Sequence, residues 1–165
     1  MGKQGKIAIG AGLGAVWSVA LIWIAVTYVQ IPVFSRVVVE QFFLIGPGIS
    51  LLLVIGAIAM RRFFSPTLID GTPPPLGSAA EIDQRVLRNT VEQSVLAACL
   101  WPVISYLLLT DGLGVVLCLS IGFVIARLAF WIGYHVSPPL RAFGFAATMY
   151  PTVLALVWAL ILRVI

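Results

Sequence analysis

The feature that most constrains this chain is a series of apolar runs of membrane-spanning length. Ile7–Val29 is one continuous run, Phe42–Met60 is a second, and Ser94–Leu109, Val115–Tyr134 and Leu140–Val164 follow. About 20 apolar residues in a helix cross the hydrocarbon core of a bilayer, where a helix also satisfies its own backbone hydrogen bonds. Of the 165 residues, 61% are hydrophobic and only 10% charged, against roughly 25% charged in soluble domains. The chain therefore reads as an all-α, multi-pass integral membrane protein.

That reading removes several function classes. The formal charge of +4 comes from scattered basic residues, without the basic and aromatic ribbon that tracks a phosphate backbone, so no nucleic acid is expected. Cys99 and Cys118 sit within apolar runs and read as small buried core residues rather than metal ligands or disulfide partners. His135 has no partner at ligand spacing, so no metal site is expected. Ile7–Val29 follows a short basic start but outruns a signal-peptide core of about 7–15 residues, and reads as a retained span. Gly10, Gly12 and Gly14 inside it lack the strand and the acid of a nucleotide loop. They suit close helix packing in the bilayer instead.

The connections follow from local chemistry. Gln30–Gln41 is a connector with Pro32, Ser35, Arg36 and Glu40. The Gly46-Pro47-Gly48 triplet should kink the second helix or delay its start. Ser65–Ala80 carries five prolines and glycines after Pro66 and cannot be regular. Ser78, three residues before Glu81, predicts a capping box for a third helix over about 79–109, interrupted or bent at Pro102. Residues 110–114 (TDGLG) read as a tight turn, and His135–Pro139 as a helix break. Lys3, Lys6, Arg61, Arg62, Arg85, Arg88, Arg127 and Arg141 fall on one side of the membrane, and Arg36 and Arg163 on the other. The positive-inside rule then makes the first side, with the amino terminus, cytoplasmic. The simple topology and the lack of organelle signals suggest a bacterial inner membrane.

Functional chemistry concentrates in EIDQRVLRNTVEQ, residues 81–93. Glu81, Arg85, Asn89 and Glu92 lie on one face of a helix at the mouth of an apolar run. Charges there must face protein, water or ligand rather than lipid. Arg127, Tyr134 and Arg141 reach the same depth from other helices. Guanidinium groups bind carboxylates in paired hydrogen bonds. Glu92 suits an arginine or a ligand ammonium, Asn89 offers a donor and an acceptor, and Tyr134 a hydroxyl or aromatic wall. Arg141 at a helix start suits a thiolate or oxyanion. A small peptide-like molecule with carboxylates and an amine would satisfy the set. Plainer readings remain: arginines near span ends snorkel to headgroups, Glu81 and Arg85 form a simple i,i+4 pair, and Arg85, Asn89 and Glu92 form a clasp between helices or subunits. The cluster at one face does not line a path across the bilayer, which disfavours a channel or transporter.

These residues resemble the MAPEG superfamily, the membrane-associated proteins of eicosanoid and glutathione metabolism. The family signature of an acid, then Arg, Asn and Glu at spacings of four, four and three, is matched by Glu81, Arg85, Asn89 and Glu92. An Arg-Arg pair and a proline-containing loop precede it (Arg61, Arg62 and the loop to Pro75), and ARLAFWIGYHVSPPLR follows, with Arg127, Phe130, Gly133, Tyr134 and Arg141. The likeness runs from about Phe42 to the end. It implies a four-helix transmembrane bundle over 42–165, with 1–41 an extra helix and connector.

The resemblance further implies a homotrimer that binds glutathione as co-substrate between subunits near the cytosolic face. Arg85, Asn89, Glu92 and Tyr134 would contact it, with Arg127 and Arg61 as further candidates, and Arg141 would activate its thiol. A lipophilic substrate would arrive from the bilayer, making the protein a glutathione-dependent transferase or peroxidase. The chain departs from the pattern at Gln93, where several members have an aromatic residue. Phe130 stands for a frequent tyrosine, and Leu87 for a usual His or Gln. The alternative is a non-catalytic member whose polar cluster serves trimer assembly or binds another small anion.

Overall fold

The computed structural model describes residues 2–32 and 40–164. Ser35 and Arg36 of the expected connector lie outside the described residues. Among the described residues five helices follow one another: α1 (Lys3–Tyr28), α2 (Ile45–Phe63), α3 (Ala79–Leu107), α4 (Gly112–Val136) and α5 (Pro138–Val164). Of the five expected spans, α1, α2, α4 and α5 are long and apolar enough to cross a membrane. The exception is α3, whose first half carries the charged stretch. Large apolar side chains such as Val16, Leu52, Val95 and Ile121 face outward, as a lipid-facing surface requires.

Local sequence explains the boundaries. In α2, Pro47 stands in the first turn, where its missing N–H has no helical acceptor to lose. The capping box forms with a shift: the Glu81 amide donates to Ser78 Oγ at 3.2 Å, while the Glu81 carboxylate accepts from the amide of Gly77, not Ser78, at 2.8 Å. Gly77 provides the positive φ of 77° that this entry to the helix needs. The Gly77 N–H holds the Glu81 carboxyl below its usual 4.5, against a smaller opposing effect of desolvation and with help from Arg85. This lowered value makes the cap's contribution complete above the usual carboxylate range and lost as pH falls through the folded value.

Three expectations change in the structure. First, of the interruption or bend expected at Pro102, the interruption does not occur: α3 continues through Pro102 to Leu107, because the lost hydrogen bond is tolerated where neighbouring helices support the backbone. Second, Gly112 and Gly114 belong to α4 rather than to a turn. A Cβ on Gly112 would collide with the Ser105 carbonyl, and one on Gly114 with the Val29 carbonyl, so both are points of close helix approach. The left-handed residue of this connection is Leu109, with φ of 52°. Third, Cys99 is exposed on the outer surface while Cys118 is buried.

The break between α4 and α5 shrinks to Ser137, with Pro138 opening α5, as a proline at the first helical position favours. Gly133 lets α4 pass against the backbone of Leu140 and Arg141. The most extensive helix contact joins α1 to α5. Gly10 and Gly14 carry it, since a Cβ on either would run into Pro139, Ala142 or Ala146, whereas Gly12 faces open space. One apolar core gathers around Trp101, Ile104, Val116, Phe123 and Ala155, and a second around Val54, Ile58, Val86 and Phe130.

Candidate functional site

Short connections from α3 to α4 and from α4 to α5 make these helices run in alternating directions. The start of α3, the end of α4 and the start of α5 therefore meet at one end of the bundle. The residues there divide into a cleft, a buried arginine beneath it, and two ion-pair groups beside it.

The cleft has a volume of about 500 Å³ and is open on one side, within the usual range of roughly 300–1,000 Å³ for small-molecule sites. Asn89 from α3, Phe130 and Tyr134 from α4, and Arg141 and Tyr150 from α5 line it. The guanidinium of Arg141 lies 4.9 Å from the centre of the Tyr134 ring, a cation–π contact that orients the arginine without neutralising it. Among the described residues no carboxylate pairs with Arg141. Its charge is left for an anion. Phe130 packs edge-on against Tyr134, with ring centres 5.0 Å apart, and fixes the phenol's plane.

Beneath the cleft lies Arg127, only 3% exposed. A buried guanidinium needs acceptors for its donors. Arg127 donates through Nε to Thr148 Oγ1 at 3.1 Å, through one terminal nitrogen to Asn89 Oδ1 at 2.8 Å, and through the other to the Gly144 carbonyl at 3.4 Å. It also sits over the face of Phe130, 4.1 Å from the ring centre. Asn89 passes the connection on: its amide nitrogen donates to the Glu92 carboxylate at 3.1 Å. The chain Arg127–Asn89–Glu92 thus settles the amide's orientation and holds an exposed carboxylate next to the cleft.

The other predicted residues lie apart. Arg85 pairs with Glu81 at 2.6 Å on an exposed face of α3, as the i,i+4 spacing predicts. Arg61 donates through Nε to Asp83 at 2.5 Å and has no share in the cleft. Asp83 is fully buried and also accepts from Trp131 Nε1 at 2.7 Å, with His135 Nε2 3.3 Å away. This carboxylate, tying α2, α3 and α4 together, was not singled out in the sequence. The available signal was its place in the row Asp83, Val86, Thr90, Gln93 and Ala97, the buried face of α3. Thr148 and Tyr150 were missed as well, because ordinary helix-interior spacing conceals them. No cluster of metal-ligating side chains occurs among the described residues.

The family model described as "MAPEG family" matches residues 15–161, nearly the whole chain. The chain belongs to the MAPEG family. It is a multi-pass membrane protein placed broadly among those of glutathione and eicosanoid metabolism. The match begins at residue 15, inside α1. No curated protein and no solved structure matches the chain.

Proposed function

We propose that this MAPEG protein binds glutathione in the cleft and uses it against lipophilic electrophiles or peroxides, as a membrane transferase or peroxidase. The observation that carries the reading is the convergence, in one cleft of about 500 Å³, of Asn89, Tyr134 and an Arg141 that has no carboxylate partner among the described residues. The donor set fits the tripeptide: an arginine for a carboxylate or thiolate, an amide, a phenol, and the Glu92 carboxylate nearby for the ammonium. Glutathione supplies a nucleophilic sulfur, and a thiol of pKa about 8.5 must be shifted downward to serve at neutral pH. Arg141 favours the ionised sulfur through its charge and its place in the first turn of α5. Tyr134 orients that guanidinium. Arg127 acts through Asn89 as a positioning residue, and Arg61 acts on the fold through Asp83.

Arg85 and Glu92 complete the site from the outer face of α3. The Arg85 side chain is 56% exposed, and Arg88 and Glu92 are exposed after it on α3, so charges stand at the head of an apolar run, where they must face protein, water or ligand rather than lipid. Such a face needs cover, and a homotrimer provides it by setting the face of one copy against the next. The basic helix ends point to the cytoplasm, and an inner membrane suits the topology.

A second reading has its own observation. The Arg127–Asn89–Glu92 chain is already hydrogen-bonded within one copy, as a structural clasp would be. Calorimetric titration of the detergent-purified protein with glutathione, alongside its oligomeric state, separates the two. The ligand reading expects millimolar or tighter binding that Asn89→Leu abolishes while the trimer persists. Absence of binding together with loss of the trimer in Asn89→Leu favours the clasp.

A further inference from the structure

The cleft has a fourth wall that the polar residues do not account for. Ile7 and Ala11 of α1 line it together with Ala142, Phe145 and Ala146 of α5. These side chains are wholly apolar, and they lie in the same cleft as Asn89, Tyr134 and Arg141. One cavity therefore has a cationic and hydrogen-bonding side and a hydrocarbon side.

The rotation of α1 about its axis is fixed. Gly10 and Gly14, four residues apart on one face, press against Pro139, Ala142 and Ala146 so closely that neither position has room for a Cβ. Ser18 continues that buried face, donating to the Gly14 carbonyl at 2.7 Å. With this ridge locked, the adjoining ridge of Ile7 and Ala11, also four apart, is held toward the cleft. Ala11 is the smallest side chain that α1 presents there, and it is partly buried. Any larger residue would project into space bounded by Ala142 and Ala146, which also end at a methyl group. The width of the apolar side is thus set by residue 11.

We propose that α1 is a wall of the binding site and that Ala11 is the residue that decides how bulky an apolar group the site accepts. The ligand's polar part meets Arg141, Tyr134 and Asn89, and its hydrocarbon part lies against Ile7, Ala11 and Phe145. The proposal rests on the cleft being the ligand site, as in the function proposed above, but it does not require glutathione to be the polar part.

The test uses two ligand pairs, titrated calorimetrically into the full chain and two variants. One pair is S-methylglutathione and S-hexylglutathione. The other is methanesulfonate and hexanesulfonate below micelle-forming concentrations, which carry an anionic head and the same tails without a tripeptide. In the wild-type protein the hexyl member of a pair binds at least about tenfold tighter than the methyl member, since its additional methylenes are buried against the apolar wall. Ala11→Phe brings that ratio close to one. Ile7→Trp, at a more exposed point of the same wall, lowers it too, and serves if Ala11→Phe does not assemble. A tail effect confined to the sulfonates, and lost in the variants, keeps the α1 wall while ending the glutathione reading. A hexyl advantage that either assembled variant leaves at its wild-type size overturns the proposal. So does the absence of any hexyl advantage in both pairs.

Discussion

At the scale of single residues, the end of the bundle that holds the cleft depends on two buried charges with opposite roles. Arg127 finds three oxygen acceptors and an aromatic face and positions Asn89. Asp83, 0% exposed, takes hydrogen bonds from Arg61 and Trp131 and lies beside His135. A buried carboxylate is tolerated only when its lone pairs are met. Asp83→Asn removes the charge and puts an amide donor where Arg61 and Trp131 both donate. We expect a loss of about 2 kcal/mol, the worth of a charged hydrogen bond or two, read as a lower unfolding midpoint in detergent. An unchanged midpoint would mean that Asp83 is not a stabilising centre. The sequence displayed Asp83 openly, yet the Glu81, Arg85, Asn89 and Glu92 row drew the functional argument to the opposite face of the same helix. A fourfold repeat of polar side chains is visible in one dimension, whereas a single acid among apolar neighbours acquires meaning only when Arg61 and Trp131 arrive from other helices.

Among the elements, α1 and α5 form the tightest pair, and the packing is made by absent side chains. Gly10 and Gly14 bring the two backbones together where Ala142 and Ala146 are the facing residues. Gly14→Ile should therefore separate α1 from α5, since overpacking at such a contact costs about 1–3 kcal/mol or more. Limited proteolysis between α1 and α2 checks it: faster cleavage, with release of α1 from the bundle, is expected, and wild-type resistance would count against a locked α1. The glycine pattern was legible as packing in α1, because a long apolar run with spaced glycines has few other uses in a bilayer. In residues 110–114 the same residue type misled. Thr-Asp-Gly has turn chemistry, and only the neighbouring carbonyls of Ser105 and Val29 show that Gly112 and Gly114 are there to let α3 and α1 approach.

For the whole molecule, the all-helical membrane fold was legible from run lengths, and the family from the spacing of a few polar residues across three helices. The site was legible in part. Asn89, Tyr134 and Arg141 do meet in one cleft, while Arg61 and Arg85 are engaged by carboxylates that sequence spacing alone assigns only for the Glu81 pair. The share of α1 in the cleft could not be read from its composition, since an apolar residue facing a cleft and one facing lipid look alike in sequence. Arg141, with no carboxylate partner among the described residues, is expected to stabilise a thiolate. Thiolate absorbance near neutral pH, recorded on mixing glutathione with the purified wild-type protein and with Arg141→Ala, tests it most directly. An absorbance rise is expected in the wild type, and its loss in an Arg141→Ala variant of unchanged oligomeric state. An equal rise in both proteins, or none in the wild type at saturating glutathione, would contradict it.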